Sequence, residues 1–193
     1  MLFPKDANAG GTWIGTSDKK RLVCVLNGGF VKHERKSSYT RSRGLIAKEL
    51  LQANSVNTCV NTLNLSGVEP FTMVIVDWSA SELALYELVW DEATKHFSQL
   101  PNEPRIWSSS TLYENASKDM RKKWFEQWLV DSKITQDQIL RFHHSTEGDP
   151  TQSILMKRSY VETVSITSVQ KIADNLTMHY EDLVENRTIM VPF

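Results

Sequence analysis

The stretch PFTMVIVDW, residues 70–78, is an apolar run of strand length that starts at a proline. A second run, residues 83–90, and a third, residues 96–100, follow it closely. The turn sequence DEATK, residues 91–95, separates these two, and PNEP, residues 101–104, breaks the chain after them. The middle of the sequence therefore predicts consecutive strands joined by turns, and residues 105–113 are predicted to be mostly extended.

The segment before these strands predicts a hairpin and two helices. Paired glycines at positions 10 and 11 are typical of a tight turn that feeds a strand, and residues 21–26 (RLVCVL) predict its partner. Residues 31–40 are polar and predict a loop. Ser42 is a candidate N-cap for a helix whose apolar face holds Leu45, Ile46, Leu50 and Leu51, and residues 55–63 predict a second, short helix.

The last part of the chain predicts two helices followed by strands. In residues 117–129 the apolar side chains recur at helical spacing. This pattern predicts a stripe that faces the core, in preference to a cofactor site. That stripe comprises Met120, Trp124, Phe125, Trp128 and Leu129, and the opposite face comprises Lys118, Arg121 and Lys122. A shorter helix is predicted over residues 132–144. Alternation over residues 160–169 predicts a strand, and residues 176–180 and 188–191 predict a terminal hairpin.

The order of the predicted elements indicates the fold class. Strands, a helical group, strands, helices and strands follow one another, which favours an α+β fold with mainly antiparallel sheets. Two helical groups could cover a pair of packed sheets from outside, giving a four-layer α-β-β-α sandwich. The length of 193 residues suits a single domain over residues 1–193.

Composition and charge exclude several classes of protein. Lys plus Arg is 22 and Asp plus Glu is 23, a formal net charge of -1, which argues against a non-specific nucleic-acid binder. No run approaches the roughly 18 apolar residues of a membrane span. The N-terminus has no basic region followed by an apolar stretch, as a signal peptide would. The expectation is a cytoplasmic protein that binds no nucleic acid and has no membrane span.

Direct motifs for catalysis or metal binding are absent from the sequence. There is no P-loop, no G-x-G-x-x-G, no H-E-x-x-H and no G-x-S-x-G. Cys24 and Cys59 lack the spacing of a metal site, and Cys24 lies in a predicted strand, where a buried thiol is expected. Adjacent His143 and His144 would point to different faces of a helix, so no metal site is predicted.

Three polar segments leave alternatives open. Asn27-Gly28-Gly29 ends a strand and could donate to an oxyanion beside an unshielded backbone, or could be a plain turn. The serines Ser108, Ser109 and Ser110 could line a polar pocket or form a sheet edge. The basic stretch from Lys32 to Arg43 is either a solvated loop or an anion-binding rim.

Several of these stretches together resemble the NRDE family, the relatives of transport and Golgi organisation protein 2. The first is AGGTWIG, residues 9–15, preceded by Asp6. The second is the strand that ends at Leu26-Asn27, and the third is SRGL, residues 42–45. Residues 107–113 and the helix with Trp124, Phe125 and Trp128 also occupy family-like positions.

The resemblance implies an N-terminal-nucleophile hydrolase-like fold, with the four layers described above. Members usually begin Met-Cys and carry an Asn-Arg-Asp-Glu tetrapeptide, and by analogy the exposed cysteine would be the nucleophile and its α-amine the base. Here residue 2 is Leu2, the tetrapeptide is absent, and Cys24 and Cys59 carry no free α-amine. We therefore expect either that the true start lies upstream of this Met1, which we favour, or that the chain is a truncated form. In both cases one or more strands of the family's sheet are missing, and we assign no catalytic residue.

Three functions follow as hypotheses. The first is an amide-hydrolase scaffold, inactive as this chain, that binds a small-molecule or peptide-like ligand. Its candidate pocket comprises Thr12, Trp13, Asn27, Arg43, Ser108 and Ser109. The second is a carrier of haem or another hydrophobic ligand, suggested by six tryptophans and five histidines. The third is a structural or interaction module without pocket chemistry.

Overall fold

The computed structural model describes residues 1–7 and 9–193. The chain divides into two compact units, Met1–Glu114 and Asn115–Phe193. The strands are β1 (Ile14–Ser17), β2 (Arg21–Asn27), β3 (Phe71–Asp77), β4 (Ala84–Trp90), β5 (Lys95–Leu100), β6 (Ser165–Ile172), β7 (Asn175–Asp182) and β8 (Arg187–Pro192). The helices are α1 (Arg43–Gln52), α2 (Val56–Thr62), α3 (Asn115–Asp131) and α4 (Gln136–His143).

The first unit contains a five-stranded antiparallel sheet in the order β1-β2-β3-β4-β5. Each strand therefore pairs with its neighbours in the sequence, as short turns between strands require. The predicted run at residues 70–78 forms the central strand β3. The outer edge of β1 is partly paired, because Leu2 exchanges two backbone hydrogen bonds of 2.9 Å with Thr16.

Helix α1 covers one face of this sheet at β1 and β2. Ser42 is its N-cap, as predicted, and the Ser42 hydroxyl accepts a hydrogen bond from the Gly44 N–H at 3.2 Å. The apolar face of α1 comprises Ile46, Ala47, Leu50 and Leu51, all 0% exposed. Helix α2 is capped in the same way by Ser55. The core joins these faces to the inner side chains of β2, β3 and β4.

One charged side chain lies inside this unit. Arg21 at the start of β2 is 1% exposed, and its guanidinium donates to Asp77 Oδ2 on β3. Its Nη1 donates to the carbonyls of Leu50 and Ala53, at 2.7 and 2.8 Å, where α1 ends. Arg21 therefore satisfies carbonyls that a helix C-terminus leaves without intrahelical partners.

The second unit contains a three-stranded antiparallel sheet in the order β6-β7-β8. Helix α4 lies against this sheet, since Gln136 Nε2 donates to Ser168 Oγ at 3.2 Å and His144 Nε2 is 3.0 Å from a carboxylate oxygen of Glu181. The predicted aromatic stripe of α3 is half-buried and clusters with Phe142 of α4, whose ring centroid lies 5.5 Å from that of Trp128.

Two details of the sequence prediction are wrong in this unit. The strand predicted from residue 160 begins at Ser165, because residues 156–163 form a tight loop in which Arg158 N–H donates to the Val161 carbonyl. Arg121, predicted on the polar face of α3, is 6% exposed, and its Nη2 donates to the Ser153 carbonyl. Helical spacing does not reveal a polar partner supplied by a segment far along the chain.

The predicted α+β class with mainly antiparallel sheets is confirmed. Stacking in four layers and the single domain over residues 1–193 stay predictions. Among the residues described here, none of the helices has both the length and the apolar character needed to cross a lipid bilayer.

Candidate functional site

The predicted pocket residues Asn27, Arg43 and Ser109 meet where β2 ends and β3 begins. We name this place the sheet-end site and define it by Asn27, Gly28, Arg43, Pro70 and Ser109. Ser109 Oγ donates to the Asn27 carbonyl at 2.7 Å. The Pro70 carbonyl accepts from Gly28 N–H at 3.0 Å and from Arg43 Nη1 at 3.3 Å. Residues up to 82 positions apart in the sequence thus converge on one end of the sheet.

Gly28 allows this convergence. Its φ is +88°, a left-handed conformation that side chains other than glycine rarely adopt. A Cβ at Gly28 would lie 2.1 Å from Ser110 Oγ and 3.0 Å from a methyl carbon of Thr111. The serine segment therefore packs directly on the backbone that follows Asn27.

The serine hydroxyls mainly brace this backbone. Ser109 and Ser110 are 9% and 5% exposed, and Ser110 Oγ donates to the Val31 carbonyl at 3.2 Å. Ser108 is half-buried, and its hydroxyl has no hydrogen-bond partner within residues 1–7 and 9–193. The serine segment forms no strand, so of the two predicted roles the sheet edge is excluded.

Thr12 and Trp13 lie just before β1. Thr12 is 3% exposed, and its Oγ1 is 2.8 Å from the Pro4 carbonyl and 2.6 Å from the Ile14 carbonyl. A Cβ at Gly44 would lie 2.6 Å from Thr12 N, so the first turn of α1 approaches this backbone closely. The Trp13 carbonyl accepts from Val25 N–H at 2.7 Å, and its side chain is 37% exposed.

The Asn27 side chain is the open polar group of the sheet-end site. Asn27 is exposed, and its main-chain carbonyl is occupied by Ser109. Its side-chain amide makes no hydrogen bond to any described residue. The amide therefore has both donor and acceptor capacity for a bound molecule.

A charged network borders the site, and the sequence did not predict its centre, Glu69. Arg43 Nη2 is 3.1 Å from Glu69 Oε2, and His33 Nε2 is 3.3 Å from Glu69 Oε1. Arg35 Nε lies 4.0 Å from Oε1. Burial lowers the pKa of Arg43, and the Glu69 charge opposes that shift. The only sequence signal for this network was the excess of basic residues in the loop that carries His33.

Two further charges of the basic stretch also have acidic partners. Lys36 pairs with Glu92 in the turn between β4 and β5, and Arg41 pairs with Glu49 of α1. Together with the contacts of Glu69, these ion pairs attach residues 28–42 to the rest of the unit. Most of residues 31–40 are exposed, so the solvated loop is the alternative that the structure supports, and these ion pairs fasten that loop to the unit.

The cysteines are not activated nucleophiles. Burial raises the pKa of the Cys24 thiol to about 11, and burial also raises the pKa of Cys59. A thiol with a raised pKa is mostly protonated at neutral pH and reacts slowly. Within the described residues there is also no group of three or more His, Cys, Asp or Glu side chains that could hold a metal ion.

The carboxylates near the strand ends have structural partners instead of each other. Asp77 pairs with Arg21, and Asp91 Oδ2 is 2.7 Å from His96 Nε2. Hydrogen bonds from the Thr94 and Ala93 backbones, followed by that from His96, lower the pKa of Asp91 to about 2. Neither carboxylate is poised as a general acid at neutral pH.

A family model described as Transport and Golgi organisation 2 matches residues 1–189 of the chain. No curated protein shows significant similarity to it. The matched range includes the sheet-end site and agrees with the resemblance found in the sequence.

Proposed function

Since the chain belongs to the Transport and Golgi organisation 2 family, we propose that it binds a small amide or peptide-like ligand at the sheet-end site, on a scaffold of the amide-hydrolase type. The observation that carries this proposal is the exposed Asn27 side chain, whose amide has no partner among the described residues, at the point where the predicted pocket residues converge.

The hydrogen-bonding chemistry of Asn27 fits an amide ligand. A carboxamide offers an N–H donor and a C=O acceptor, and a peptide group presents the complementary pair. Gly28 and Gly29 follow Asn27, so no side chain shields the adjacent backbone. Glu69 balances the charge of Arg43 beside the site, and the second guanidinium near Glu69, that of Arg35, is 82% exposed to solvent. A neutral polar ligand is therefore favoured over an ion.

The proposal for this chain is binding and not turnover. By the family resemblance, the nucleophile would be a cysteine with a free α-amine, and no residue of the sheet-end site is one. Cys24 and Cys59 do not replace it, since both thiols have raised pKa values. The residues of the sheet-end site supply groups that bind and orient an amide ligand.

An NMR titration tests this proposal. N-acetylglycine methylamide, a model of the peptide bond, is added to the ¹⁵N-labelled chain, and saturable shifts are expected at Asn27, Gly28 and Trp13. Asn27→Ala should weaken binding about tenfold, the effect of losing two hydrogen bonds. Asn61→Ala is the matched control, since Asn61 is exposed on α2 and its side chain has no partner among the described residues. Equal affinities of the two variants for the model amide would refute binding at Asn27.

The haem-carrier alternative has less support from the histidines. The Nε2 atoms of His33, His96 and His144 each lie within 3.3 Å of a carboxylate oxygen, so haem ligation through Nε2 would break that contact. Titration with haemin separates the two functions. A saturable visible-region shift that a His→Ala change removes would favour the carrier, and its absence at micromolar haemin would remove that hypothesis.

A further inference from the structure

A cleft lies apart from the sheet-end site residues, between the segment after α2 and the turn that joins β4 to β5. Its volume is about 540 Å³, within the range of small-molecule sites. The lining residues are Lys36, Leu63, Asn64, Leu65, Ser66, Gly67, Trp90, Glu92, Ala93 and Lys95.

The walls of the cleft are fixed by their own hydrogen bonds. Trp90 is 7% exposed, and its Nε1 donates to the Val68 carbonyl at 2.9 Å. Thr40 holds the opposite wall, because its N–H donates to the Gly67 carbonyl at 2.8 Å and its hydroxyl to the Ser66 carbonyl at 3.0 Å. A ligand would therefore meet a surface that needs little reordering on binding.

Lys95 contributes charge to the cleft but no free donor. Its Nζ donates to the carbonyls of Val60, Asn61 and Leu63 at 2.7, 3.0 and 3.0 Å, where α2 ends. An ammonium group has three N–H donors, so all of them are occupied. Hydrogen bonds to a ligand must come from other side chains.

The free hydrogen-bonding groups of the cleft are mainly donors. Lys36 uses its ammonium on Glu92 and has further N–H groups available. Asn64 Oδ1 accepts from Ser66 N–H at 3.0 Å, whereas the Asn64 NH₂ and the Ser66 hydroxyl have no partner in the described part of the chain. The carboxylate of Glu92 is held by Lys36. Such a set is complementary to oxygens that carry negative charge.

The summed charge of the side chains that line the cleft favours a ligand with a single negative charge. Lys36 and Lys95 contribute two positive charges and Glu92 one negative charge, so the lining carries a net charge of about +1 at neutral pH. The indole of Trp90 and the side chains of Leu63 and Leu65 add apolar surface. Glu92 has a φ of +83°, as the tight turn between β4 and β5 requires, and this turn places its side chain beside the cleft.

We propose that this cleft binds a small monocarboxylate with an apolar body, whose carboxylate replaces Glu92 beside Lys36 and accepts from Asn64 and Ser66, while its body lies against Trp90. Without a ligand, Glu92 neutralises the Lys36 ammonium. A ligand carboxylate can then replace Glu92 as the partner of Lys36. This binding is independent of the amide ligand at the sheet-end site.

Benzoate is the probe, and the ¹⁵N-labelled full chain is titrated with it at constant ionic strength. Saturable shifts are expected at the Trp90 indole N–H, Ser66 and Gly67. Benzyl alcohol, a neutral molecule of similar size, should bind more weakly by about tenfold, and inorganic phosphate should not compete. Lack of saturation with benzoate, or equal binding of benzyl alcohol, would refute the proposal, and tighter binding of phosphate would refute the monocarboxylate.

Three variants test which side chains of the loop and the turn bind benzoate. Lys36→Met should weaken benzoate binding about tenfold, and Lys32→Met, a change to an exposed lysine of the same loop, should leave it unchanged. Glu92→Gln removes the competing carboxylate and should tighten binding about two- to fivefold. If Lys36 served only to fasten the loop, Glu92→Gln would loosen that loop and weaken binding, and this outcome would overturn the proposal.

Discussion

Arg21 and Asp77 lie opposite each other on β2 and β3, with Arg21 Nη2 2.7 Å from Asp77 Oδ2. The same guanidinium donates to the carbonyls of Leu50 and Ala53 at the end of α1. One buried cation thus joins two strands and a helix, and its hydrogen bonds compensate for its removal from water.

Removal of the Asp77 charge should strongly destabilise the fold. Asp77→Asn leaves the charge of Arg21 buried without a counter-ion, and we expect a loss of about 3 kcal/mol in the free energy of unfolding. The measurement is urea denaturation followed by circular dichroism. Glu103→Gln, which removes the partner of Arg105 in an exposed pair with a 3.8 Å contact, should cost less than about 1 kcal/mol. Similar losses in both variants would contradict the role of Arg21.

Stability should fall in acid because of Asp77. Burial alone would raise its pKa, but hydrogen bonds from Ser79 and Arg21 favour the charged form, so the pKa lies below the ordinary value of 3.8. A carboxyl with a lowered folded pKa stabilises the fold above its unfolded pKa, and this contribution is lost as pH falls through the folded pKa. Urea midpoints of the parent and Asp77→Asn should therefore converge below about pH 4. A constant difference would show that Asp77 does not titrate this way.

A methyl group at Gly28 should separate the serine segment from the sheet. Gly28→Ala places a Cβ 2.1 Å from Ser110 Oγ and requires a left-handed φ, and we expect a loss of about 2–3 kcal/mol. Ser110→Ala in the same chain removes the nearest atom and should recover part of that loss, leaving the backbone strain. Thermal denaturation of the single and double variants gives the coupling between the two positions. Strict additivity would exclude their contact.

The thiols should react slowly until the protein unfolds. With a pKa of about 11, only about one Cys24 side chain in a thousand is thiolate at pH 8. Iodoacetamide labelling, read by intact mass, should modify Cys24 far more slowly in buffer than in urea. The Cys24→Ala variant identifies the labelled site, and rapid labelling of Cys24 in buffer would contradict its burial.

Loss of the Lys95 ammonium should fray α2. Lys95→Met leaves the carbonyls of Val60, Asn61 and Leu63 without their donor and should lower the free energy of unfolding by about 1–2 kcal/mol. Lys123→Met on the exposed face of α3 is the control, with little change expected. Hydrogen exchange of the α2 amides should accelerate in the first variant only.

Elements fixed by local signals were predictable from the sequence. The apolar run at residues 70–78 became β3, and Ser42 and Ser55 cap their helices because a short side chain can accept a backbone N–H. Arg121 and residue 160 were predicted wrongly, since burial of the first and the loop around the second depend on Ser153 and on hydrogen bonds within residues 156–163.

The candidate site was predictable in part. Asn27 was found as a polar residue at a strand end and Arg43 through the family resemblance, and both do lie at one end of the sheet. Glu69 was missed, because its three basic partners are 26 to 36 residues away and no spacing relates them. Ser109 was predicted to line a pocket or an edge, whereas its hydroxyl donates to the Asn27 carbonyl, a contact set by the path of the loop.

Lys95 also sets an order of events during synthesis. The residues of α2 leave the ribosome more than thirty positions before the side chain that closes its last turn. Until β5 emerges and pairs with β4, the helix ends in bare carbonyls and unwinds readily. The carbonyls at the end of this short helix therefore receive the Lys95 ammonium only after the last strand of the sheet has been synthesised.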